Sequence, residues 1–275
     1  MSYIIRCACL DVFITLALAQ ASMNCFCETD LRGACESDND DLFITNGSMV
    51  LVTNAQTGAV VSQLKFDDKD EKAEGSLAVD EDDLYVVTKA HGIYVYSLEG
   101  TFKRSFGGCD QASGIAVGLH SVYAADRENN RIIVFDKASG HFDRVIGNGC
   151  GIEAGSLCCP CGVALYKDTY LIVAEMGNGR IQVFNTQTDE SMLVVDGYPN
   201  VFSVLVNEAS GTVYASLYST KQIRKFHIIL ANANVVFHVQ SHYKQLDYHP
   251  LSLFLHHSGK LGIVSKARIC FIDLF

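Results

Sequence analysis

The chain has 275 residues, 49% of them hydrophobic, and its 21 basic and 31 acidic residues give a net charge of −10. A chain of this length can bury a large core, and its acidic balance disfavours binding to phosphate backbones, so nucleic acid is not the expected partner. The charge is concentrated between Glu28 and Asp83, where 15 acids accompany 4 bases, as is typical of solvated surface loops.

The first 21 residues resemble a cleavable signal peptide. Arg6 is basic, Val12–Ala19 is an apolar run, and Ala19-Gln20-Ala21 supplies the small residues of a cleavage site. The run is too short to span a bilayer as a helix, so no membrane span is expected. With a cleaved signal the protein would be secreted, and without one it would be cytoplasmic.

The same residues also have the composition of β-strands. Tyr3–Cys7 and Val12–Leu18 are rich in β-branched side chains, which favour extended structure. Both interpretations stay open. We therefore expect residues 1–21 to be a signal peptide or a closing strand, and residues 22–275 to form a single domain.

From Ala34 onward a strand pattern repeats six times. An apolar triplet marks the second strand of each unit, and the middle residues of successive triplets are 42, 38, 49, 42 and 48 positions apart. This spacing is close to the length of a four-stranded propeller blade. The sequence therefore predicts an all-β fold, a six-bladed β-propeller of four-stranded antiparallel blades. The triplets are centred on Phe43, Tyr85, Tyr123, Ile172, Tyr214 and Gly262.

Two of these units contain nearly the same hairpin. Val122–Asp136 and Leu171–Asn185 each have an apolar run, a polar turn and a second, alternating apolar run. Arg131 and Arg180 occupy matching places, five residues after an acid. We expect each arginine to pair with that acid, Asp126 or Glu175, as a structural link between the two strands.

These hairpins resemble NHL repeats, whose pattern is roughly Y-V-A-D-x-x-N-x-R-I-Q-V-F. The P-x-G-V-A opening of such a repeat stands here as Pro160–Ala164. The resemblance implies a propeller that serves as a binding platform for proteins or, as a weaker alternative, RNA. The matching residues are Asp126, Asn130, Arg131, Ile132, Val134 and Phe135, and then Glu175, Arg180, Ile181, Gln182, Val183 and Phe184.

The sixth unit ends before a fourth strand, because the sequence given stops at Phe275 just after the third strand, Ile269–Ile272. An open outer edge would present unpaired N–H and C=O groups. We therefore predict that an N-terminal strand pairs with Ile269–Ile272 and closes the ring.

Eleven cysteines are present, and four of them form a C-x7-C-C-P-C cluster. The spacing of a zinc site, two C-x2-C pairs, is absent from that cluster. Buried thiols or one disulfide are the simpler interpretations, and Cys109 and Cys150 could pair across neighbouring blades. The clustered cysteines are Cys150, Cys158, Cys159 and Cys161.

A metal-dependent propeller enzyme, similar to the lyases and lactonases with this fold, is the alternative function. Such enzymes hold their metal at the mouth of the central channel. The residues that would enter the channel here are Gln111, Cys161, Asn200 and His249, with no carboxylate among them. We therefore predict no catalytic residues, no metal site and no cofactor.

The expected function is that of a non-catalytic binding scaffold, a monomer with a protein or peptide ligand. The strand 2–3 and strand 4–1 loops of a propeller gather on one face around the channel. Exposed Arg, Met and aromatic residues on such a face are typical interface anchors. The predicted partner-binding residues are Arg127, Met176, Tyr198, Phe202 and Tyr218.

Overall fold

The structure is a computed structural model of the chain. The structure describes residues 2–6, 13–17, 24–26, 31–37, 39, 41–47, 49–54, 60–65, 73, 75–88, 92–109, 112–231, 234–266 and 268–274. In these ranges, residues 2–6, 13–17, 24–26, 65, 229–231, 234–242 and 268 are described by their backbone alone.

The described chain is all-β, and six antiparallel sheets form the six blades of a propeller. Three short strands come first: β1 (Ser2–Arg6), β2 (Phe13–Ala17) and β3 (Asn24–Phe26). The first blade contains β4 (Gly33–Glu36), β5 (Asp41–Thr45), β6 (Met49–Asn54) and β7 (Val60–Lys65). The second contains β8 (Leu77–Asp80), β9 (Asp83–Val87), β10 (Ile93–Ser97) and β11 (Phe102–Phe106). The third contains β12 (Ile115–Val117), β13 (Ser121–Asp126), β14 (Arg131–Asp136) and β15 (Phe142–Ile146).

The remaining blades follow the same inner-to-outer order. The fourth contains β16 (Pro160–Tyr166), β17 (Tyr170–Glu175), β18 (Arg180–Asn185) and β19 (Ser191–Asp196). The fifth contains β20 (Val201–Asn207), β21 (Thr212–Leu217), β22 (Gln222–Ala231) and β23 (Asn234–Gln245). The sixth contains β24 (Ser252–Leu255), β25 (Lys260–Val264) and β26 (Arg268–Asp273). The predicted six-bladed fold is confirmed.

The core of the propeller consists of six hydrophobic clusters, one between each pair of neighbouring blades. The second and third strands supply most of these side chains because both of their faces are covered by adjacent blades. Phe135, Phe184 and Phe226, at matching places in three blades, are all fully buried. The repeated aromatic position is therefore part of the core and is not available for binding.

The last blade packs directly on the first. Phe254 and Phe271 share a cluster with Ile44 and Leu51, and the Leu31 amide N–H donates to the Lys266 carbonyl at 3.1 Å. These contacts bring the two ends of the propeller together. The backbone of β3 also pairs with β26, with Phe26 opposite Arg268. Closure of the ring by an N-terminal strand stays a prediction, as does the nature of residues 1–21.

The outer hairpin of the fifth blade is longer than the sequence pattern predicts. We expected strands at Ile223–Phe226 and Val235–Val239, whereas the ladder between β22 and β23 continues from Gln222↔Gln245 to Ala231↔Asn234. The apolar, β-branched residues after Phe226 have high strand propensity, and pairing extends the ladder through them.

Candidate functional site

A cavity of about 450 Å³ lies on the axis of the propeller, lined by the inner strands of all six blades. We call the end where the inner strands begin the upper mouth, and the end where they finish the lower mouth. The wall between them consists mostly of apolar residues of the inner strands, such as Ala34, Ala78 and Ala164. Charged side chains are few, so specific chemistry is concentrated at the two mouths.

Three aromatic rings form a continuous cluster at the upper mouth. The Tyr218 ring stacks on the His249 imidazole with centroids 4.6 Å apart, and the Phe202 ring lies 6.1 Å from that of Tyr218. The Tyr218 carbonyl is 2.7 Å from His249 Nδ1, which fixes the imidazole. We call Phe202, Tyr218 and His249 the aromatic cluster. The sequence prediction included its first two members.

Arg127 and Met176 lie farther round the same mouth, beside Cys161, which lines the cavity. Burial raises the pKa of the Cys161 thiol to about 11, and the positive charge of Arg127 opposes that rise. The Arg127 Nε atom is buried and has no hydrogen-bond acceptor among the described residues. The Met176 amide N–H donates to the Cys159 carbonyl at 3.1 Å. Both residues are half-buried, so part of each side chain is open to solvent.

Tyr198 does not belong to the exposed part of this face. Only 2% of the residue is accessible, and its ring packs edge-on against Phe226 with centroids 5.9 Å apart. The Arg224 guanidinium covers the ring at 5.5 Å from its centroid. Tyr198 is therefore a core residue between the fourth and fifth blades. Its expected role as an exposed anchor was wrong because the Gly197-Tyr198-Pro199 turn folds inward over the blade.

The two predicted strand-to-strand ion pairs are present. Arg131 Nε lies 2.8 Å from Asp126 Oδ2, and Arg180 Nε lies 2.8 Å from Glu175 Oε1. Asn130 adopts the left-handed conformation with φ 56°, and its Oδ1 accepts the Cys159 amide at 2.8 Å. These residues hold the turns of the upper face, which is the structural role that the sequence predicted for the two ion pairs.

Arg180 has an additional role that its pairing did not indicate. Its guanidinium donates to the carbonyls of Ile152, Glu153 and Ser156, all in the 147–159 loop that connects β15 to β16. Gln182 donates to the Ser156 carbonyl at 2.7 Å and accepts the Gly155 amide at 3.0 Å. A buried arginine and a buried glutamine therefore organise a long loop at the edge of the upper mouth.

A His–Glu cluster lies at the lower mouth, where the first and last blades meet. It contains Glu36, His256 and His257, whose potential ligand atoms lie within 4.8 Å of one another. The Glu36 carboxylate is 2.5 Å from His257 Nδ1 and also accepts the His257 amide N–H at 3.2 Å. Among the described residues, this is the one group of three such side chains with metal-binding spacing. Sequence reasoning missed it, since Glu36 and the histidines are 220 and 221 positions apart in the chain.

At the upper mouth, the described residues that we considered as metal ligands for an enzyme have other partners. His249 Nδ1 contacts a backbone carbonyl, and the Asn200 side-chain amide donates to Ser219 Oγ at 3.1 Å. No group of three His, Cys, Asp or Glu ligands is found there within the described ranges. The Cys161 thiol points to the Cys159 carbonyl at 3.4 Å, and Gln111, the fourth candidate, lies outside the described residues.

No protein-family model matches the chain, and no curated protein matches it, so membership of the NHL family is not supported. Solved structures do match. A chain of the crystal structure of the mitotic checkpoint complex is 16% identical with a TM-score of 0.62, over 89% of this chain and 90% of that chain. The Myceliophteria thermophila Cps50 (Swd1) β-propeller domain is 12% identical with a TM-score of 0.66, over 90% of this chain and 97% of that domain. At these identities the similarity establishes the propeller fold.

The described part of the chain contains no helix of sufficient length and hydrophobicity to cross a membrane.

Proposed function

We propose that the protein is a non-catalytic binding scaffold whose upper mouth captures a protein or peptide partner. The observation that carries this proposal is the aromatic cluster, which lies at the same mouth as the half-buried Arg127. Aromatic rings and arginines are the side chains that most often dominate interface energy. A partner could place an apolar side chain against the rings and an acidic group near the positive charge of the half-buried Arg127.

Two further features support a protein or peptide partner over other classes. The net charge of −10 opposes a polyanionic ligand, so RNA, the weaker alternative implied by the NHL-like hairpins, is disfavoured. One of the matching solved propellers was crystallised as part of a protein complex, the mitotic checkpoint complex. Use of a propeller in such an assembly is a property of that protein, and we extend it to this chain as a proposal.

The test compares the wild-type chain with a mouth variant, in which Arg127, Met176, Phe202 and Tyr218 are all replaced with Ser. Partners captured by the wild-type chain are identified, one is purified, and its affinity for both chains is measured by calorimetry. We expect the mouth variant to bind at least about 30-fold more weakly, which corresponds to about 2 kcal/mol if two of the four residues are hot spots.

A matched control removes exposed apolar side chains elsewhere. Val61, Phe102 and Phe142 lie on outer strands and are 64%, 52% and 61% exposed. Their joint replacement with Ser should leave partner affinity unchanged. Equal affinity of the mouth variant and the wild-type chain, with both of them folded, would show that the upper mouth is not the binding surface.

A metal-dependent enzyme is the second candidate, and the His–Glu cluster at the lower mouth is the observation in its favour. Two imidazoles and one carboxylate suit zinc or another first-row divalent ion. Metal analysis of the purified protein, followed by titration with Zn²⁺, separates the two candidates. A stoichiometric ion that is lost in His257→Ala would favour the enzyme, whereas the scaffold needs no metal.

A further inference from the structure

Two thiols of the 147–159 loop lie in contact. The Sγ atoms of Cys150 and Cys158 are 3.6 Å apart, and both cysteines are free. Cys150 is exposed and Cys158 is half-buried, so reagents in solution reach the pair. The two sulfurs of a disulfide are about 2.05 Å apart, so a bond would need an approach of only about 1.5 Å.

The backbone on both sides of the pair is held in place by hydrogen bonds. The Leu157 amide donates to the Gly149 carbonyl at 2.9 Å, which links the neighbours of the two cysteines directly. The Cys158 amide donates to Glu175 Oε2 at 3.0 Å, and Asn178 donates to the Gly151 carbonyl at 2.8 Å. The loop therefore presents the two thiols together before any bond forms between them.

We propose that Cys150 and Cys158 are a reversible modification site, a dithiol that low-molecular-weight disulfides of the glutathione type convert into an intramolecular disulfide. The site lies at the edge of the upper mouth, because the Cys158 and Cys159 carbonyls accept the amides of Gly177 and Met176. It does not depend on the proposed binding function.

The exchange balances without any further reagent. The Cys150 thiolate attacks one sulfur of glutathione disulfide, forming a mixed disulfide and releasing one glutathione thiolate. The Cys158 thiolate then attacks Cys150 Sγ, forming the Cys150–Cys158 bond and releasing the second glutathione thiolate. Two electrons pass from the two protein thiols to glutathione disulfide, and each thiol loses its proton to solvent.

The order of attack follows from the surroundings of the two thiols. Burial and the neighbouring Cys150 thiol raise the pKa of Cys158 to about 11. Thiolates, and not thiols, are the nucleophiles of the exchange, so the exposed Cys150 reacts first and Cys158 resolves the mixed disulfide. Because the Cys158 thiolate fraction grows as the pH rises toward 11, the closing step should become faster from pH 7 to pH 9.

Other described cysteines are poorer partners for Cys150. Cys109 is fully buried in the cluster between the second and third blades, so the pairing of Cys109 with Cys150 considered from the sequence does not occur in this structure. Cys161 is 2% exposed, and its thiol points to the Cys159 carbonyl at 3.4 Å. Cys159 directly follows Cys158 and is the competitor that an experiment must separate.

The test uses the full chain, reduced and then equilibrated with glutathione disulfide, with remaining thiols blocked by alkylation. Trypsin releases residues 145–167 as one peptide that contains all four clustered cysteines, and cleavage after Glu153 then divides it between Cys150 and Cys158. We expect the two halves to stay joined under non-reducing conditions and to separate after reduction. The variants are Cys150→Ser, Cys158→Ser and, as the matched control, Cys159→Ser.

Each variant has a distinct expected result. Cys159→Ser should form the joined peptide to the same extent as the wild-type chain. Cys158→Ser should instead accumulate glutathione on Cys150, because the resolving thiol is gone, and Cys150→Ser should form no joined peptide. The proposal would be overturned if the two halves of the wild-type peptide separated without reduction. It would also be overturned if the joined peptide were lost in Cys159→Ser and kept in Cys158→Ser.

Discussion

The hairpins of the third and fourth blades have nearly the same sequence but different surroundings. The Arg131 side chain is 39% exposed, and among the described residues its guanidinium donates to Asp126. The Arg180 side chain is 5% exposed and bonds Glu175 together with three carbonyls of the 147–159 loop. One arginine links two strands, whereas the other also holds a loop.

The difference comes from the length of the chain that precedes each blade. Thirteen residues, 147–159, separate β15 from β16, whereas eight, 107–114, separate β11 from β12. The longer loop passes over the fourth hairpin and buries Arg180, and its inward-facing carbonyls need donors. The same repeat position therefore acquires a new role when a neighbouring segment lengthens.

The largest expected effect is that of Arg180→Ala. Removal of the guanidinium leaves Glu175, which is fully buried, without its cation. It also takes one donor from each of three loop carbonyls, of which those of Glu153 and Ser156 keep a second donor. We expect the free energy of unfolding to fall by about 3–5 kcal/mol, the usual cost of breaking a buried ion pair from one side. Chemical denaturation measures it. Arg180→Lys keeps the charge but not the planar fork, so its free energy of unfolding should lie between those of the wild-type chain and Arg180→Ala. A loss near 1 kcal/mol in Arg180→Ala would mean that the loop is held by other contacts.

An intermediate effect is expected for Gln182→Ile, which gives the fourth hairpin the residue that the third has at Ile133. Gln182 is fully buried and bonds the Gly155 amide, the Ser156 carbonyl and Glu175. The free energy of unfolding should fall by about 2 kcal/mol because buried loop groups lose their partner. The reverse change, Ile133→Gln in the third blade, is the control and should also destabilise, since it puts a polar amide into the hydrophobic cluster that Ile133 shares with Cys109 and Ala112. A neutral Gln182→Ile would show that the loop does not depend on this side chain.

The smallest effect is expected for Arg131→Ala. Asp126 keeps hydrogen bonds from Asn129 at 2.9 and 3.0 Å, and the Arg131 side chain, unlike that of Arg180, is 39% exposed, so solvent already screens this ion pair. We expect the free energy of unfolding to fall by about 1 kcal/mol or less, as for a partly exposed ion pair. Thermal melts of Arg131→Ala and Arg180→Ala in parallel test the contrast. Equal losses in the two variants would contradict the distinction between the blades.

The upper mouth shows how far sequence could predict a surface. Arg127, Met176, Phe202 and Tyr218 lie at the turns and inner-strand starts where the repeat pattern put them. Tyr198 belongs to the same set by sequence but is buried, because a turn residue can point either way and neighbouring side chains decide which. The His–Glu cluster had no sequence signal, since its members come from opposite ends of the chain.

The sequence by itself determined the architecture of this protein. The sequence contains local patterns, namely period-2 alternation, apolar inner strands and regular spacing. Because the same patterns occur in six successive units, each unit independently predicts the same fold. The partners of Arg180, the burial of Tyr198, the contact of Cys150 with Cys158 and the meeting of Glu36 with His257 were decided by the tertiary structure alone. Each depends on which loop crosses which blade or on where the ring closes, and those contacts join residues whose separation in sequence follows no period.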